Sequence, residues 1–291
     1  MDRPIDNLLQ TFISMIEAGA PPWRQPWANG AQGSLPLRAD GQPFSGTNCW
    51  ILAAVGASAG RASPYWFTFN QALGIEAPVR KGERGQHVIL FKVRAAEAAN
   101  DDGEVETRAL KYLKTYVVFN ADQLEGLPDF FRGAPAIDED LRSRLRDEVL
   151  DAIPAEIVLG GDRAYYARAT DRVHLPPPEA FISADEFQST KAHELAHWAG
   201  GAARLNREFG KRFGDQDYAF EELIAEIAAA QLGLHLRTRP QTLSSHASYL
   251  AGWAKMLKAR PGALIEASGH AQRAVDFLLQ FSRPAAASLA A

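Results

Sequence analysis

The sequence has very little cysteine and no long apolar run. Cys49 is the only cysteine among 291 residues, which excludes a disulfide framework and a cysteine-rich zinc site and is typical of a reducing compartment. No segment is apolar over the length that a membrane-spanning helix or a signal peptide requires. We therefore expect a soluble, cytoplasmic protein with no membrane partner.

The sequence also lacks an excess of charge of one sign. Its 31 basic and 35 acidic residues leave a net charge of −4. A protein whose overall field attracts nucleic acid or an anionic membrane would be strongly basic, so any polyanion site here must be a local patch. The hydrophobic fraction of 46% is enough for one large domain or two ordinary ones.

The composition changes after Asn120, where the proline- and glycine-containing segment GLPDFFRGAPAIDED is typical of a linker. Before it, strands are predicted at 88–93 and 115–120, with an acidic, irregular excursion at 95–107 between them. After it, a short strand-rich stretch leads into helices. We predict an α+β protein with domains at 1–128 and 146–285, joined by a linker at 129–145.

The motif HELAH at 193–197 is the most specific chemical signal in the chain. Two histidines four residues apart lie one turn apart on the same helix face, so that His193 and His197 can reach one ion. Glu194 lies between them, where a carboxylate can take a proton from an attacking water. Ser183 and Glu186 form a capping-box pattern before the helix, and Gly200 supplies a stop. The alternative interpretation is an ordinary amphipathic helix with two solvated histidines.

A metal site of this kind needs a third protein ligand. The segment DYAFEELIAEIAAAQLG predicts a second helix, on which Glu222 and Glu226 lie one turn apart. Their spacing resembles the E-x-x-x-D/E pattern of gluzincins, in which the first carboxylate binds the metal and the second orients a ligand histidine. We therefore expect Glu222 as the ligand and Glu226 behind it, although the two could exchange roles. Glu221 is expected to face solvent.

The donor set of two imidazoles and a carboxylate suits Zn²⁺, and Mn²⁺ or Co²⁺ would also be accommodated. The segment AYYARATDRVHL at 164–175 is placed in the sequence where metallopeptidases have the edge strand that receives substrate, but it could equally be a core strand. His246 and Tyr249 are candidates for polarising a substrate carbonyl. Each could instead cap or pack a helix.

Aromatic and basic residues are concentrated in the N-terminal part. Aromatic rings beside a basic groove are the combination that binds single-stranded nucleic acid, because bases stack on the rings and cations contact the phosphates. The alternative is that the rings are core and the cations solvated. The candidate DNA-contact residues are Trp23, Arg24, Trp27, Tyr65, Trp66, Arg80, Lys81, Arg84 and Lys92. Arg94 belongs to the same basic run, and Lys111 and Lys114 on the following strand could extend the patch.

The whole chain resembles the ArdC family of plasmid antirestriction proteins, whose N-terminal domain is shared with TraC-type plasmid primases. The resemblance implies an N-terminal single-stranded-DNA-binding domain joined to a zincin-like metallopeptidase domain. It also implies protection of incoming mobile DNA from host restriction. The stretches that carry it are PPWRQPW, FSGTN, YWFTFNQA, VRKGERGQHVILFK, YVVFNADQLEGLP, VHLPPPEAF, STKAHELAHWAGGAARLNR, YAFEELIAEIAAAQLG and HASYLAGWAKMLK.

One position departs from the family pattern. Where the family commonly has H-x-T-G-H, this chain has His197-Trp-Ala-Gly-Gly201, so that a histidine is missing at 201. Two functions remain open. In the first, a DNA-targeted metallopeptidase acts on a protein or peptide, for example a component of a restriction system. In the second, a DNA-binding shield carries a metal domain that is structural or binds partners without turnover.

Overall fold

A computed structural model describes residues 3–19, 34–99, 105–133, 138–207, 216–238 and 247–282. The helices are α1 (Arg3–Glu17), α2 (Thr47–Ser58), α3 (Phe69–Gly74), α4 (Glu139–Asp151), α5 (Ala184–Ala199), α6 (Gln216–Leu236), α7 (Ala247–Ala259) and α8 (Ala263–Leu279). The strands are β1 (Leu37–Arg38), β2 (Tyr65–Thr68), β3 (Gln86–Ala99), β4 (Val105–Asn120), β5 (Glu156–Leu159), β6 (Tyr165–Ala167) and β7 (Arg172–Leu175). The α+β class expected from the sequence is confirmed.

The N-terminal sheet has the strand order β1-β2-β4-β3, in which only β1 and β2 are parallel. Its β3–β4 ladder runs from the pair Gln86–Val118 to the pair Ala99–Val105. The strands are therefore much longer than predicted, and most of the supposed excursion at 95–107 is paired. The alanines and acids of this segment have a low β-propensity, which favours an irregular structure. In the structure β3 and β4 form one long two-stranded ribbon, and the register set by apolar residues at its base, near Val88 and Val118, continues to its far end.

The base of this ribbon is held between two apolar clusters. On one face Trp66, Val88 and Val118 pack against Leu52 of α2. On the other face, Phe67 packs against Ala72 of α3 and its neighbours. Because successive strand residues alternate between faces, this double cover explains why the strands at the base are continuously apolar.

A smaller sheet with the order β5-β7-β6 precedes the HELAH helix. The segment at 164–175, predicted as one strand, is a hairpin: β6 and β7 pair antiparallel, and Asp171 has the positive φ of the turn. The preceding strand β5 pairs in parallel with β7 and not with β6, its neighbour in the chain. β6 therefore lies at the edge of the described sheet.

The second half is mainly helical. Ser183 caps α5 by accepting a hydrogen bond from the Glu186 backbone N–H. Helix α6 is buried on all sides from residue 221 to residue 229, which makes it the central helix of this half. Within the described ranges, no helix combines the length and the apolar character that crossing a membrane requires.

One continuous core joins the two halves. It contains Leu9, Ile13 and Ile16 of α1, and α1 packs mainly against α7. Trp50 of α2 lies in the same core, and its indole Nε1 donates to Ser268 Oγ of α8 at 3.1 Å. Helix α4 begins inside the range 129–145 that was predicted as a linker, and its last turns enter this core as well. The halves therefore share buried surface and are not joined by the linker alone.

Candidate metal centre

Helix α5 presents His193 and His197 on one buried face, as the HELAH spacing predicts. Their exposed fractions are 7% and 8%, and their Nε2 atoms lie 3.2 Å apart. Two imidazole nitrogens at this distance are arranged to share one ion.

Helix α6 brings Glu222 to the same point. One carboxylate oxygen lies 3.6 Å from His193 Nε2, and the other lies 3.5 Å from His197 Nε2. A tetrahedral ion with bonds of about 2.0–2.1 Å would separate its ligand atoms by about 3.3 Å, close to all three distances. The three residues lie within mutual reach of one ion and fit a zinc-type site.

Two other carboxylates of α6 face the outer nitrogens of these histidines. Glu226 Oε2 lies 3.6 Å from His193 Nδ1, and Glu221 Oε1 lies 3.1 Å from His197 Nδ1. The expectation that Glu221 faces solvent was wrong, since its exposed fraction is 2%. A carboxylate on the outer nitrogen fixes the tautomer and the ring orientation of a metal-binding histidine. In the structure Glu226 is in this position for His193, and Glu221 is in this position for His197.

Arg207 neutralises Glu221 in the interior. Its Nε and Nη2 atoms donate to the two carboxylate oxygens at 2.9 and 2.6 Å, and Nη2 also donates to the Ala196 carbonyl. Burial alone would raise the pKa of Glu221, but the hydrogen bonds from His197 and Arg207 lower it. Gly200 leaves room for this guanidinium, because a Cβ there would lie 2.6 Å from Arg207.

The charges at the centre are strongly coupled. Burial favours neutral His193, but the Glu222 and Glu226 carboxylates, each 3.6 Å from one of its ring nitrogens, raise its pKa to about 10. Burial also opposes ionisation of Glu222, but His193 and His197 lower its pKa to about 2. The pocket therefore stabilises positive charge next to the Glu222 carboxylate, which is the electrostatic requirement for a cation site.

Glu194 is buried beside the two histidines. Its exposed fraction is 6%, and burial raises its pKa above the ordinary value for a glutamate. Its carboxylate accepts a hydrogen bond from the Tyr166 backbone N–H on β6. The strand β6 therefore passes beside this carboxylate, and of the two positions considered for this segment, edge or core, it has the edge position.

The space near the missing histidine at 201 is filled by Arg204. A Cβ on Gly201 would lie 2.2 Å from Arg204 Nη2 and 2.9 Å from Tyr166 Oη. The guanidinium stacks over Trp198 at 4.0 Å, and its nitrogens donate to the Tyr166 hydroxyl and to both Asp171 oxygens. Arg204 thus ties the β6–β7 hairpin to the end of α5.

Tyr249 lies near the centre, and its hydroxyl is 3.1 Å from that of Tyr218. Tyr218 in turn shares a hydrogen bond with Glu222. Burial raises the pKa of both phenols, so both remain protonated donors at neutral pH. His246, the other candidate for polarising a carbonyl, lies outside the described residues.

The candidate DNA-contact residues are dispersed. Tyr65 is half-buried, with its ring 5.0 Å from Phe131, whereas Lys81 and Arg84 are exposed. Trp66 is only 4% exposed and packs under α2, so its ring cannot stack on a base in this conformation. Arg80 donates to Glu83 and to the Asp122 carbonyl, which uses part of its donor capacity internally. Of the remainder, Trp23, Arg24 and Trp27 lie outside the described residues, and only the backbone position of Lys92 is described.

Comparison with known proteins assigns the two halves separately. Residues 4–119 match a family model described as the N-terminal domain of anti-restriction factor ArdC. Residues 145–270 match one described as a zincin-like metallopeptidase. Such a fold implies a bound metal, in agreement with the geometry around His193 and Glu222.

The crystal structure of the antirestriction ArdC protein from plasmid R388 superimposes on nearly the whole chain. In the metal-free form the TM-score is 0.79 at 36% identity, and the alignment covers 98% of each chain. The chain belongs to the ArdC antirestriction family. The Mn²⁺-bound form of that family member aligns with a TM-score of 0.77 over 95% of this chain and 97% of the other.

The family relationship extends to much larger proteins. A DNA primase TraC from Escherichia coli is 34% identical over 295 residues, which cover 96% of this chain. The same alignment covers 27% of TraC, so the chain spans about a quarter of that relative's length. The shared region therefore accounts for part of a primase.

Several residues of the centre were not predicted, although some left a signal. Glu221 lies three, four and seven residues before the buried Ile224, Ala225 and Ala228, which is the spacing of the buried face. Tyr218 precedes Glu222 by one turn and so shares its face. Arg204 and Arg207 follow the helix in an irregular segment, where no periodicity could place them.

Proposed function

We propose that this antirestriction protein binds single-stranded DNA and carries a metal-dependent peptidase site that acts on a protein met on that DNA. In this way it would protect incoming DNA from host restriction. The observation that supports a catalytic site is the position of Glu194, buried beside the His193–His197–Glu222 cluster and under the edge strand. A site that serves only structure has no need of a further buried carboxylate there.

In this proposal His193, His197 and Glu222 would hold a divalent ion. Such an ion, when bound, would supply Lewis-acid activation of water and of the scissile carbonyl. The Glu194 carboxylate takes the proton of the attacking water and returns it to the leaving amine. The outer edge of β6 would align an extended peptide through backbone hydrogen bonds beside the Glu194 carboxylate. Tyr249, whose hydroxyl lies 3.1 Å from that of Tyr218, would donate to the substrate carbonyl.

Zn²⁺ is the ion that the donor set of two imidazoles and one carboxylate suits best. Mn²⁺ is also a candidate, because the related ArdC protein of plasmid R388 was crystallised with Mn²⁺. Co²⁺ would satisfy the same ligands.

The DNA-binding part rests on the family relationship and on the exposed basic residues of the N-terminal half. TraC is a DNA primase and the R388 protein is an antirestriction protein, so both are concerned with DNA. Among the candidate contacts, the exposed Lys81 and Arg84 are suited to phosphates. Tyr65 is half-buried, so part of its side chain is accessible to a base.

The Glu194→Gln variant tests the catalytic proposal, because it keeps the shape of the side chain and removes its ability to accept a proton. We expect it to retain the metal and single-strand binding and to lose peptide cleavage by about 10²–10⁴-fold. Protection of unmodified DNA in a restricting host should be lost with it. Glu148→Gln, at an exposed position on α4, is the matched control.

Metal content is measured by mass spectrometry and protection by the recovery of transferred DNA. If Glu194→Gln protects DNA as well as the wild-type protein does, the peptidase mechanism is overturned. The protein would then act as a DNA-binding shield whose metal domain is structural or binds partners.

A further inference from the structure

The register of the β3–β4 ribbon sorts its basic residues between two faces. Residues paired across an antiparallel ladder lie on the same face, and alternate residues along one strand share that face. The pairs Lys92–Tyr112, Leu90–Lys114, Arg94–Leu110 and Ala96–Arg108 therefore all belong to one face. Four cations and one tyrosine are thus aligned along a single side of the ribbon, here called the basic face.

The opposite face has a different composition. It carries the pairs Phe91–Leu113, Val93–Lys111 and Ala95–Ala109. Leu113 is half-buried and packs against the main core, and Ile89 on the same face is only 7% exposed. Apart from Lys111, these pairs are apolar, as expected for the side of a ribbon that faces the body of the protein.

At the base of the sheet this same face is covered by α2, because Trp66, Val88 and Val118 pack there against Leu52, so the open part of the basic face ends near Lys114 and Tyr116. Lys114 is exposed there, and Tyr116, two residues further along β4, is half-buried. Arg38 of β1 lies in register with Trp66 of β2, which pairs with Asn120 of β4, so Arg38 is on this same face. It is exposed, and its charge acts on the Tyr116 phenol, lowering a pKa that burial raises.

Acidic residues are nearly excluded from this face. Within the paired residues of β3 and β4, Glu106 is its one acid, and it lies at the far end opposite Ala98. Glu97 belongs to the other face, where it pairs with Thr107. A chain with a net charge of −4 therefore concentrates five cations along one strip. Such a strip selects a polyanion rather than an apolar or cationic partner.

We propose that the basic face of the β3–β4 ribbon is the surface that holds single-stranded DNA. This inference rests on the proposed function and names the contact surface for it. The register places Lys92, Arg94, Arg108 and Lys114 on this face, where their charges suit phosphates, and it places Tyr112 on the same face, where an aromatic residue suits stacking on a base. The loop residues Arg80, Lys81 and Arg84 precede the ribbon and are secondary to it.

Two lysines of β4 provide a matched test, because Lys111 and Lys114 lie three residues apart on opposite faces. Lys114→Thr removes a phosphate contact and should weaken binding about fivefold at about 0.1 M salt. It should also reduce the slope of log affinity against log salt by about 0.7. The sequence had offered Lys111 as an extension of the basic patch, but its pairing with Val93 puts it on the opposite face, outside the proposed DNA surface. Lys111→Thr makes the same change of charge and should leave the affinity within about twofold.

Two further variants test the rest of the surface. The double change Arg94→Thr with Arg108→Thr should lower the salt slope by about 1.4. Tyr112→Leu keeps an apolar strand residue but removes the ring, and should weaken binding at least about fivefold with little change in slope. Binding is followed by fluorescence anisotropy of a labelled oligothymidylate with the full chain, and thermal unfolding checks that each variant is folded.

The outcomes separate the two levels of the proposal. If wild-type protein binds the oligonucleotide and Lys111→Thr weakens binding as much as Lys114→Thr, the face assignment is overturned while DNA binding stands. If wild-type protein does not bind it, the DNA-binding part of the proposed function fails. Equal binding of duplex and single strand, with Tyr112→Leu unaffected, would overturn the stacking role.

Discussion

Two glutamates four residues apart on α6 face different nitrogens of the same histidine. Glu222 approaches His193 Nε2, and Glu226 approaches His193 Nδ1. An imidazole binds an ion through one nitrogen and is oriented by a hydrogen bond at the other. Because His197 Nε2 also points to Glu222, the geometry favours Glu222 as the ligand and Glu226 as the orienting group.

Replacing each glutamate by alanine should therefore have unequal effects on metal binding. Glu222→Ala removes a ligand and should abolish stoichiometric metal binding, whereas Glu226→Ala should weaken the affinity by about 10–100-fold. Calorimetric titration with Zn²⁺ or Mn²⁺ measures both. Retention of wild-type affinity by Glu222→Ala would show that the order is reversed.

The close packing around Gly201 leads to a stability prediction. In Gly201→Ala the new methyl group displaces the Arg204 guanidinium and the Tyr166 hydroxyl from their hydrogen bonds, so we expect a loss of about 0.5–1.5 kcal/mol in the free energy of unfolding. Gly252→Ala on α7 is the control, because its Cβ meets no atom within 4 Å. An alanine there should be neutral or stabilise by about 0.5–1 kcal/mol. Urea unfolding compares the two, and equal stability would contradict the role given to Arg204.

Helix α1 shows that an amphipathic pattern can predict a helix without predicting the element against which that helix packs. Its apolar spacing predicts a helix, and the structure has one at Arg3–Glu17. The pattern does not say what its buried face contacts. In the structure α1 packs mainly on α7, which lies more than 200 residues later in the chain.

A change on that face of α1 should therefore destabilise the whole protein. Ile16 is fully buried, and Ile16→Ala should cost about 2–5 kcal/mol. Ser14 is exposed on the same helix, and Ser14→Ala should have little effect. Denaturant unfolding monitored by far-ultraviolet circular dichroism measures both changes. A loss below about 0.5 kcal/mol for Ile16→Ala would contradict the packing of α1.

The two halves of the molecule match two different family models, but they share one hydrophobic core. The backbone of Gly46, which precedes α2, makes two hydrogen bonds to the other half. The Gly46 carbonyl accepts one from the Gln231 side chain of α6, and the Gly46 N–H donates one to the Gln272 side chain of α8. Helix α6 also carries Glu221, Glu222 and Glu226. The element that completes the metal centre is therefore in direct contact with the N-terminal half.

A shared core should make unfolding cooperative. We expect one transition in which the signal of the buried Trp50, the helical signal and release of the metal coincide. Scanning calorimetry together with fluorescence and metal release tests this. Two separated transitions, one for each matched region, would show that the halves unfold independently.

Local patterns in the sequence were enough to predict several parts of the protein. HELAH places two imidazoles one turn apart because helix geometry alone determines their spacing, and Glu222 and Glu226 follow by the same periodicity. The family stretches predicted the fold class, which the structural comparison confirmed. All of these depend on residues close together in the chain.

Contacts between distant segments could be decided only by the tertiary structure. Glu221 is buried because Arg207 neutralises it, and Trp66 is unavailable to DNA because α2 covers it. The basic face of the ribbon exists because a register set at the base extends to Ala99 and Val105. Burial, charge pairing and strand register depend on which distant segments pack together. The free energy that stabilises this packing is distributed over the whole core, so a local sequence pattern cannot predict it.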